Sequence, residues 1–594
     1  MSGFIIVKKA SKSLGRLESA KEVFSKKSYS ITSQTIDLKD HVLVLYEDSI
    51  SSYAKSHQGQ DGNFSCYCGF LSFNKCTGKD ALIAIERELS KGRLLGDLEL
   101  HGNYFLLVFH EGQLLITRDL FGGYTCFSET DGNWFTSNFV AAMQLIEKVE
   151  FSSQELIERV FFGFEFGFQT IVKGIILTPP TKILNLSQES QIAKRIEIPE
   201  IEHNLDKCIS QNAAVIASEF ELYQKFAGNK IIAALSGGFD SRLMLAGMLQ
   251  SGTVPELYVY GVDSSKDVKV AKNISSKENL TLSHINKSLE DSMELEEILQ
   301  TIKQNYWDLD GANNLFLNKS ELQSRMDRAI GGRLVLNGSG GEIFRDIWKW
   351  DFKKTTWFEL FSNSYNTGEL ELFGVNVPEF FNNIVYKVQQ QAADFFPIKE
   401  TLSRREAEML FLIYRSNYYA QNNNLNNYFG DATFPFLSAK VALTSFTVPY
   451  NFKRAGLFEA KLIKTLHPRI AKYPSEYGFD FFKGPDKKSV LKEWAYSQLS
   501  PSFKSQIKKM LSSSNKSAFN TSRKENTYLD DQVINGLLGD HPRMSYTLFQ
   551  NPDKILNQNM KSRLFSMELM HYMNPPIYKR TLPDSPQLAV KTVA

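Results

Sequence analysis

Cysteine is scarce: Cys66, Cys68, Cys76, Cys126 and Cys208 are the five in 594 residues, too few and odd in number for a disulfide framework. Reduced thiols are expected. Three of them lie close together, but no paired CxxC spacing accompanies them and the nearest histidine is His57, which argues against a zinc site. An excess of either charge is also missing. Lys+Arg number 68 and Asp+Glu 66, so the formal charge of +2 leaves no broad basic surface and no nucleic acid is expected as a partner. No apolar run approaches the roughly 18 residues of a membrane-crossing helix. The densest, Tyr104-Phe105-Leu106-Leu107-Val108-Phe109, has strand length. The opening Met1-Ser2-Gly3-Phe4-Ile5-Ile6-Val7-Lys8-Lys9 sets its apolar segment before its charges, the reverse of a secretory signal. A soluble, cytoplasmic protein with no membrane partner is the expectation.

The chain has 42% hydrophobic residues, 12% aromatics and 36 glycines, enough for large cores, and its length predicts two to three domains. Residues 1–200 read as an antiparallel sheet domain. Short apolar runs at 2–7, 42–46, 104–109, 113–117, 124–127 and 134–137 are separated by turn residues such as Glu111-Gly112, Phe121-Gly122-Gly123 and Asp131-Gly132-Asn133. Two stretches with apolar residues three and four apart, 80–91 and 152–162, predict helices. The texture changes near Pro179-Pro180 and Ile198-Pro199, and a helix over 204–226 opens a second region. There, apolar runs at 231–235, 256–262 and 333–336 alternate with helical stretches, the pattern of a parallel sheet wrapped by helices, spanning 204–490. From about residue 400 the pattern is mainly helical, and 491–594 reads as a helical extension with a mobile polar loop near 512–526.

The most informative string is Ile231-Ile232-Ala233-Ala234-Leu235-Ser236-Gly237-Gly238-Phe239-Asp240-Ser241. A buried strand runs into two glycines and then a helix, which aims free N–H groups at an anion and lets it approach the main chain. Phosphate is the expected ligand, with Ser236 and Ser241 as hydroxyl donors and Asp240 as a ligand for a bridging Mg²⁺. The spacing is neither Walker A nor a dinucleotide GxGxxG. An ordinary capped strand-turn-helix is the competing reading.

SGGxDS after a strand resembles the pyrophosphate loop of the N-type ATP pyrophosphatases, and further strings are similar to the asparagine synthetase branch. Tyr260-Gly261-Val262-Asp263-Ser264 resembles its second nucleotide-binding strand, Asn337-Gly338-Ser339-Gly340-Gly341-Glu342-Ile343-Phe344 its SGxGxDE(L/V)F segment, and Thr433-Phe434-Pro435-Phe436-Leu437-Ser438 its RxPFLD segment. In the first half, Ser2-Gly3-Phe4-Ile5, Gly69-Phe70-Leu71-Ser72-Phe73-Asn74 and Leu115-Ile116-Thr117-Arg118-Asp119-Leu120-Phe121-Gly122 are similar to the glutaminase segments Cys-Gly-Ile, G-x-I-Y-N and ARDxxG. The resemblance implies an α+β N-terminal domain, an Ntn-hydrolase-like αββα sandwich, followed by an α/β parallel-sheet nucleotide domain. It implies ATP and Mg²⁺ as cofactors, with Asp240 and Glu342 on the metal and a nucleotide bordered by Leu235, Ser236, Gly237, Gly238, Phe239, Ser241, Tyr260, Gly261, Gly338, Ser339 and Gly340.

The chain departs from that pattern. Ser2 stands where the glutaminase has its nucleophilic Cys, and a hydroxyl is a far weaker nucleophile than a thiol, so the first domain is expected to be inactive. Thr433 and Ser438 replace a charged Arg and Asp. Ser475 and Glu476 stand nearest to the place of a pyrophosphate-contacting Lys, with Lys472 or Lys483 as substitutes. β-Lactam synthetase and lasso-peptide cyclases are branches that lost the same Cys. The expectation is an ATP-dependent, AMP-forming amide ligase with Asp240, Glu342 and Lys472 as catalytic residues, acting on a small-molecule or peptide carboxylate, with a peptide precursor as one form of substrate. An amidotransferase using glutamine or ammonia on a small molecule or sugar, and an inactive nucleotide-binding scaffold, are the alternatives.

Overall fold

The computed structural model describes residues 3–48, 54–286, 293–311, 314–317, 319–348, 350–365, 367–499, 503, 504, 527–539, 541–552, 555 and 557–574. Ser2 and the loop expected at 512–526 lie outside the described residues.

The first part is built from two six-stranded antiparallel sheets. One runs in the order Ile175–Leu177, Phe127–Glu129, Trp134–Thr136, Gly3–Lys8, His41–Asp48, Ile31–Leu38. The other runs Ser190–Ala193, Lys182–Asn185, Gln113–Arg118, Tyr104–His110, Phe64–Gly69, Ser56–Gln58. Side chains alternate along a strand, and both faces of the central strands are apolar, so each sheet must be covered twice. Phe4, Ile6, Leu43 and Leu45 from the first sheet meet Cys66, Cys68, Phe105 and Leu107 from the second in one core, where Phe4 and Phe105 stack at 3.9 Å. Ile5, Val7 and Val44 face outward onto the helices Leu17–Ser25 and Phe139–Leu145. Tyr67, Leu106 and Val108 face the helix Gly78–Ser90 on the far side. The result is a helix-sheet-sheet-helix sandwich, and each buried side chain of this size contributes roughly 1.5–3 kcal/mol.

The strand expected over 124–127 begins only at Phe127. The preceding residues instead wrap the buried pair Arg118 and Asp119. Arg118 donates to the carbonyls of Gly122, Tyr124 and Thr178 at 2.7–2.9 Å, and Asp119 accepts from the N–H groups of Tyr104, Gly123 and Tyr124 at 2.8–3.2 Å. Those bonds use the backbone that a longer strand would need.

The helix Leu205–Ala227 opens the second part, whose five-stranded sheet runs Leu282–Ile285, Glu256–Tyr260, Ile231–Ala234, Leu334–Leu336, Asp431–Thr433, every neighbouring pair parallel. Ile231, Ala233, Leu257, Val259, Leu334 and Leu336 face one large core, and Ile232, Tyr258 and Val335 face the other side. The fifth strand departs from the expectation of a mainly helical pattern beyond residue 400. Its three residues follow the long helix Arg404–Phe429 and are fully buried, so nothing in their spacing separates them from it.

Beyond residue 491 the described segments are helical but do not stand apart. Val533, Ile534, Leu537, Met567 and Met570 share a core with Ile5, Val7 and Trp134 of the sandwich and with Ile302 and Tyr306 of the second part.

Candidate nucleotide site

The strand order places Glu256–Tyr260 on one side of Ile231–Ala234 and Leu334–Leu336 on the other. The chain therefore changes direction across the sheet at Ile231–Ala234, and the crevice beyond the carboxyl ends of such strands is where α/β sheets bind ligands. Two glycine-rich loops border it.

The first leads from Leu235 through Ser236, Gly237 and Gly238 into the helix Phe239–Gln250. The N-cap Gly238 has no side chain with which to cap the first turn. Ser236 and Ser241 hold the loop's shape: their hydroxyl oxygens are 2.9 Å apart, Ser236 Oγ accepts from the Gly238 N–H at 3.2 Å, and Ser241 Oγ accepts from the Ser236 N–H at 3.1 Å. The Gly237 N–H donates to Asp267 Oδ1 at 2.7 Å, so a carboxylate of the chain stands where a phosphate oxygen could be bound. Asp267 reaches it from the first turn of the helix Lys266–Glu278.

The second loop follows Leu334–Leu336. Asn337 Oδ1 accepts from the Ser339 N–H at 2.9 Å, and Gly340 turns the chain at φ +92°, where a Cβ would lie 2.8 Å from Leu437. A Cβ on Gly341 would lie 2.5 Å from Asp240 Oδ1. Gly340 is required by its left-handed turn and the close approach of Leu437, and Gly341 by the close approach of Asp240.

Carboxylates from three elements converge here. Asp240 accepts from Arg345 Nη2 on both oxygens, at 2.7 and 2.9 Å, and Arg345 Nε is 3.1 Å from Glu459 Oε2. Glu342 accepts from the Tyr419 hydroxyl and from the Gly340 N–H, each at 3.0 Å. Burial pushes the Asp240 carboxyl up to about 6, opposed by Arg345 and reinforced by the charge of Glu342. Glu459, 0% exposed, is pushed well above its usual range by burial, opposed by Arg345 and reinforced by the neighbouring Asp240.

These acids offer only oxygen, the donor that Mg²⁺ takes. Among the described residues no three His, Cys, Asp or Glu side chains stand close enough to hold an ion by themselves. The oxygen donors are of the kind Mg²⁺ takes, and Asp240 and Glu342 are the residues that would hold it.

Gly261, at φ +137°, ends the neighbouring strand, and its carbonyl lies 2.8 Å from His284 Nε2. Tyr260 shares a sheet face with Tyr258, and its hydroxyl lies 3.0 Å from Ser324 Oγ and accepts from Arg328. Lys472 is exposed with its ammonium 5.1 Å from the Phe482 ring centre, and the Lys483 ammonium is 3.8 Å from Asp480. Neither makes a hydrogen bond or ion pair with the loop. Glu476 is the residue placed there, its N–H donating to the Gly237 carbonyl at 3.2 Å and its Oε1 lying 3.2 Å from where a Cβ on Gly238 would be. That segment is fixed by Arg242, which is fully buried and donates to the carbonyls of Ile470, Tyr473 and Pro474 at 3.1–3.2 Å.

No protein-family profile and no curated protein matches the chain. Solved structures similar to it include glutamine phosphoribosylpyrophosphate (PRPP) amidotransferase from B. subtilis complexed with ADP and GMP, at 6% identity over 50% of this chain and 69% of that one, TM-score 0.20. Another is described as the allosteric regulatory enzyme of purine biosynthesis, at 8% identity over 50% of this chain and 87% of that one, TM-score 0.20. Likeness at that score carries no argument about this chain.

Proposed function

We propose that the protein is an ATP-dependent, AMP-forming amide ligase that binds MgATP between its two glycine loops. The supporting observation is the convergence of Asp240, Glu342 and Glu459 beside those loops at the switch point of a parallel sheet. Under this reading a substrate carboxylate attacks the α-phosphorus, the bond from that phosphorus to the bridging oxygen breaks, and pyrophosphate leaves with its electron pair. An amine then displaces AMP from the acyl-adenylate. Mg²⁺ bound with the nucleotide neutralises phosphate charge. Under the same reading the Gly237 N–H, once Asp267 gives it up, and the Ser236 and Ser241 hydroxyls would orient the departing pyrophosphate.

The carboxylate is a small molecule or a peptide, a peptide precursor included. Because Ser2 stands in place of a thiol, the amine is part of the substrate or free ammonia, not nitrogen drawn from glutamine. ATP–pyrophosphate exchange, measured over a panel of carboxylates, tests the reading. Exchange above background that is lost in Asp240→Ala supports it. Failure of the wild-type protein to bind ATP in the presence of Mg²⁺ would refute it.

A further inference from the structure

Splitting ATP between the α and β phosphates places the departing charge on pyrophosphate, and a fixed cation is the usual means of holding it. The positively charged groups beside the loop are not equally free to serve. The Arg242 guanidinium is spent on three carbonyls that fold residues 470–474 against the helix. Lys472 lies over Phe482, Lys483 faces Asp480, and Lys272 is 2.6 Å from Asp263.

Arg345 differs from these. Its Nη2 is on Asp240 and its Nε faces Glu459, so two acids on separate helices hold one edge of the planar fork. The guanidinium centre lies 5.4 Å from the ring of Phe239, a residue of the loop's own helix turn. Among the described residues Nη1 has no hydrogen-bond partner, and the side chain is 23% exposed. Two carboxylates contact the one guanidinium, and against the opposing effect of burial Glu459 and Asp240 hold Arg345 above the ordinary arginine range.

We infer that Arg345 is the pyrophosphate-holding residue of this site, presenting Nη1 to the β- and γ-phosphates of ATP while Asp240 and Glu459 fix its orientation. A guanidinium held in this way loses little freedom when it binds a phosphate, and the N–H groups of Nη1 remain to donate to phosphate oxygens. The inference rests on the nucleotide reading. It further assigns the cationic role to a residue outside the lysines to which the sequence points.

The test separates ligands by their phosphates. Binding of ATP, AMP and inorganic pyrophosphate, each with Mg²⁺, is measured by calorimetry on the full chain and on Arg345→Met and Arg345→Lys. Loss of one charge-assisted contact predicts that Arg345→Met weakens ATP and pyrophosphate by about tenfold to a hundredfold. AMP, which lacks the two outer phosphates, should bind within about twofold of wild type, and Arg345→Lys should fall between. Unchanged pyrophosphate affinity in Arg345→Met overturns the inference, and so does an AMP loss as large as the ATP loss, which would mark a structural role. If Arg345→Met does not fold, Arg345→Lys carries the test, and pyrophosphate affinity equal to wild type overturns it. A wild-type protein that binds none of the three ligands refutes the nucleotide reading instead.

Discussion

Asp240 is held between a guanidinium and two further acids, so its protonation decides what the crevice can bind. Burial raises its carboxyl to about 6 from an ordinary value near 3.8, Arg345 pulls it back down and Glu342 pushes it up. Between those two values the folded protein keeps a proton that the unfolded chain has released. The sign follows: this group's contribution to stability is full below about pH 3.8 and falls as pH rises through about 6. Under the proposed reading function runs the other way, because a metal on the nucleotide would need the ionised carboxylate. Mg²⁺-dependent ATP binding should therefore rise with pH through about 6, and the rise should flatten in Asp240→Asn. A wild-type profile that is level from pH 5 to 7, on the order of one unit either side of the transition, would contradict it. The sequence placed Asp240, Glu342 and both glycine loops in one site because each lies in a short string with a steric or charge logic of its own. Arg345 and Glu459 carried no such logic. Arg345 merely follows Ile343-Phe344, and Glu459 sits between Phe458 and Ala460 in a helix, so only the packing of that helix on Phe239–Gln250 brings its carboxylate to the crevice.

The helix Phe239–Gln250 carries the loop, and one of its contacts is especially close. At Gly247 a Cβ would lie 2.4 Å from Phe220, on the helix Leu205–Ala227. Propensity alone favours Ala over Gly inside a helix by about 1 kcal/mol. Overpacking costs about 1–3 kcal/mol or more, and here the obstacle is the ring of Phe220, which is 1% exposed. Gly247→Ala should therefore destabilise the protein by about 1–2 kcal/mol net, read as a lower denaturation midpoint with an unchanged slope. A stabilised variant would show that the helix can slide, and that its loop is less firmly placed than the contact implies. The same distinction between local pattern and packing explains which elements were legible. Strands such as Tyr104–His110 and Trp134–Thr136 show as short apolar runs bounded by turn residues, and helices such as Gly78–Ser90 and Ser153–Phe162 through three- and four-residue apolar spacing. Ile31–Leu38 and Ser190–Ala193 are mostly exposed, polar edge strands whose only reason to be strands is the neighbour they pair with.

At the scale of the molecule, the sandwich and the parallel sheet meet through buried polar groups, and this bears on whether the first 200 residues could be removed. Asn103 Oδ1 accepts from the Thr433 hydroxyl and the Phe434 N–H, each at 2.8 Å, joining the sandwich to the edge strand Asp431–Thr433. Lys55 and Asp431 form an ion pair whose side chains are 1% and 0% exposed. Phe70 packs against Tyr223 and Phe226 of the helix that opens the second part. A domain kept only as an inert companion would leave polar surfaces behind when removed. Here removal would strand a buried carboxylate and expose the apolar faces that Ile302, Tyr306, Met567 and Met570 share with the sandwich. Breaking a buried pair by deleting one partner costs about 3–5 kcal/mol, so Lys55→Met alone should lower unfolding free energy by about that amount, measured by chemical denaturation. By the same reasoning residues 204–594 expressed alone should aggregate, and should regain solubility and ATP binding only when residues 1–203 are supplied in the same cell. A soluble, nucleotide-binding 204–594 fragment, or a Lys55→Met protein as stable as wild type, would show that the two parts are joined far more loosely than these contacts require.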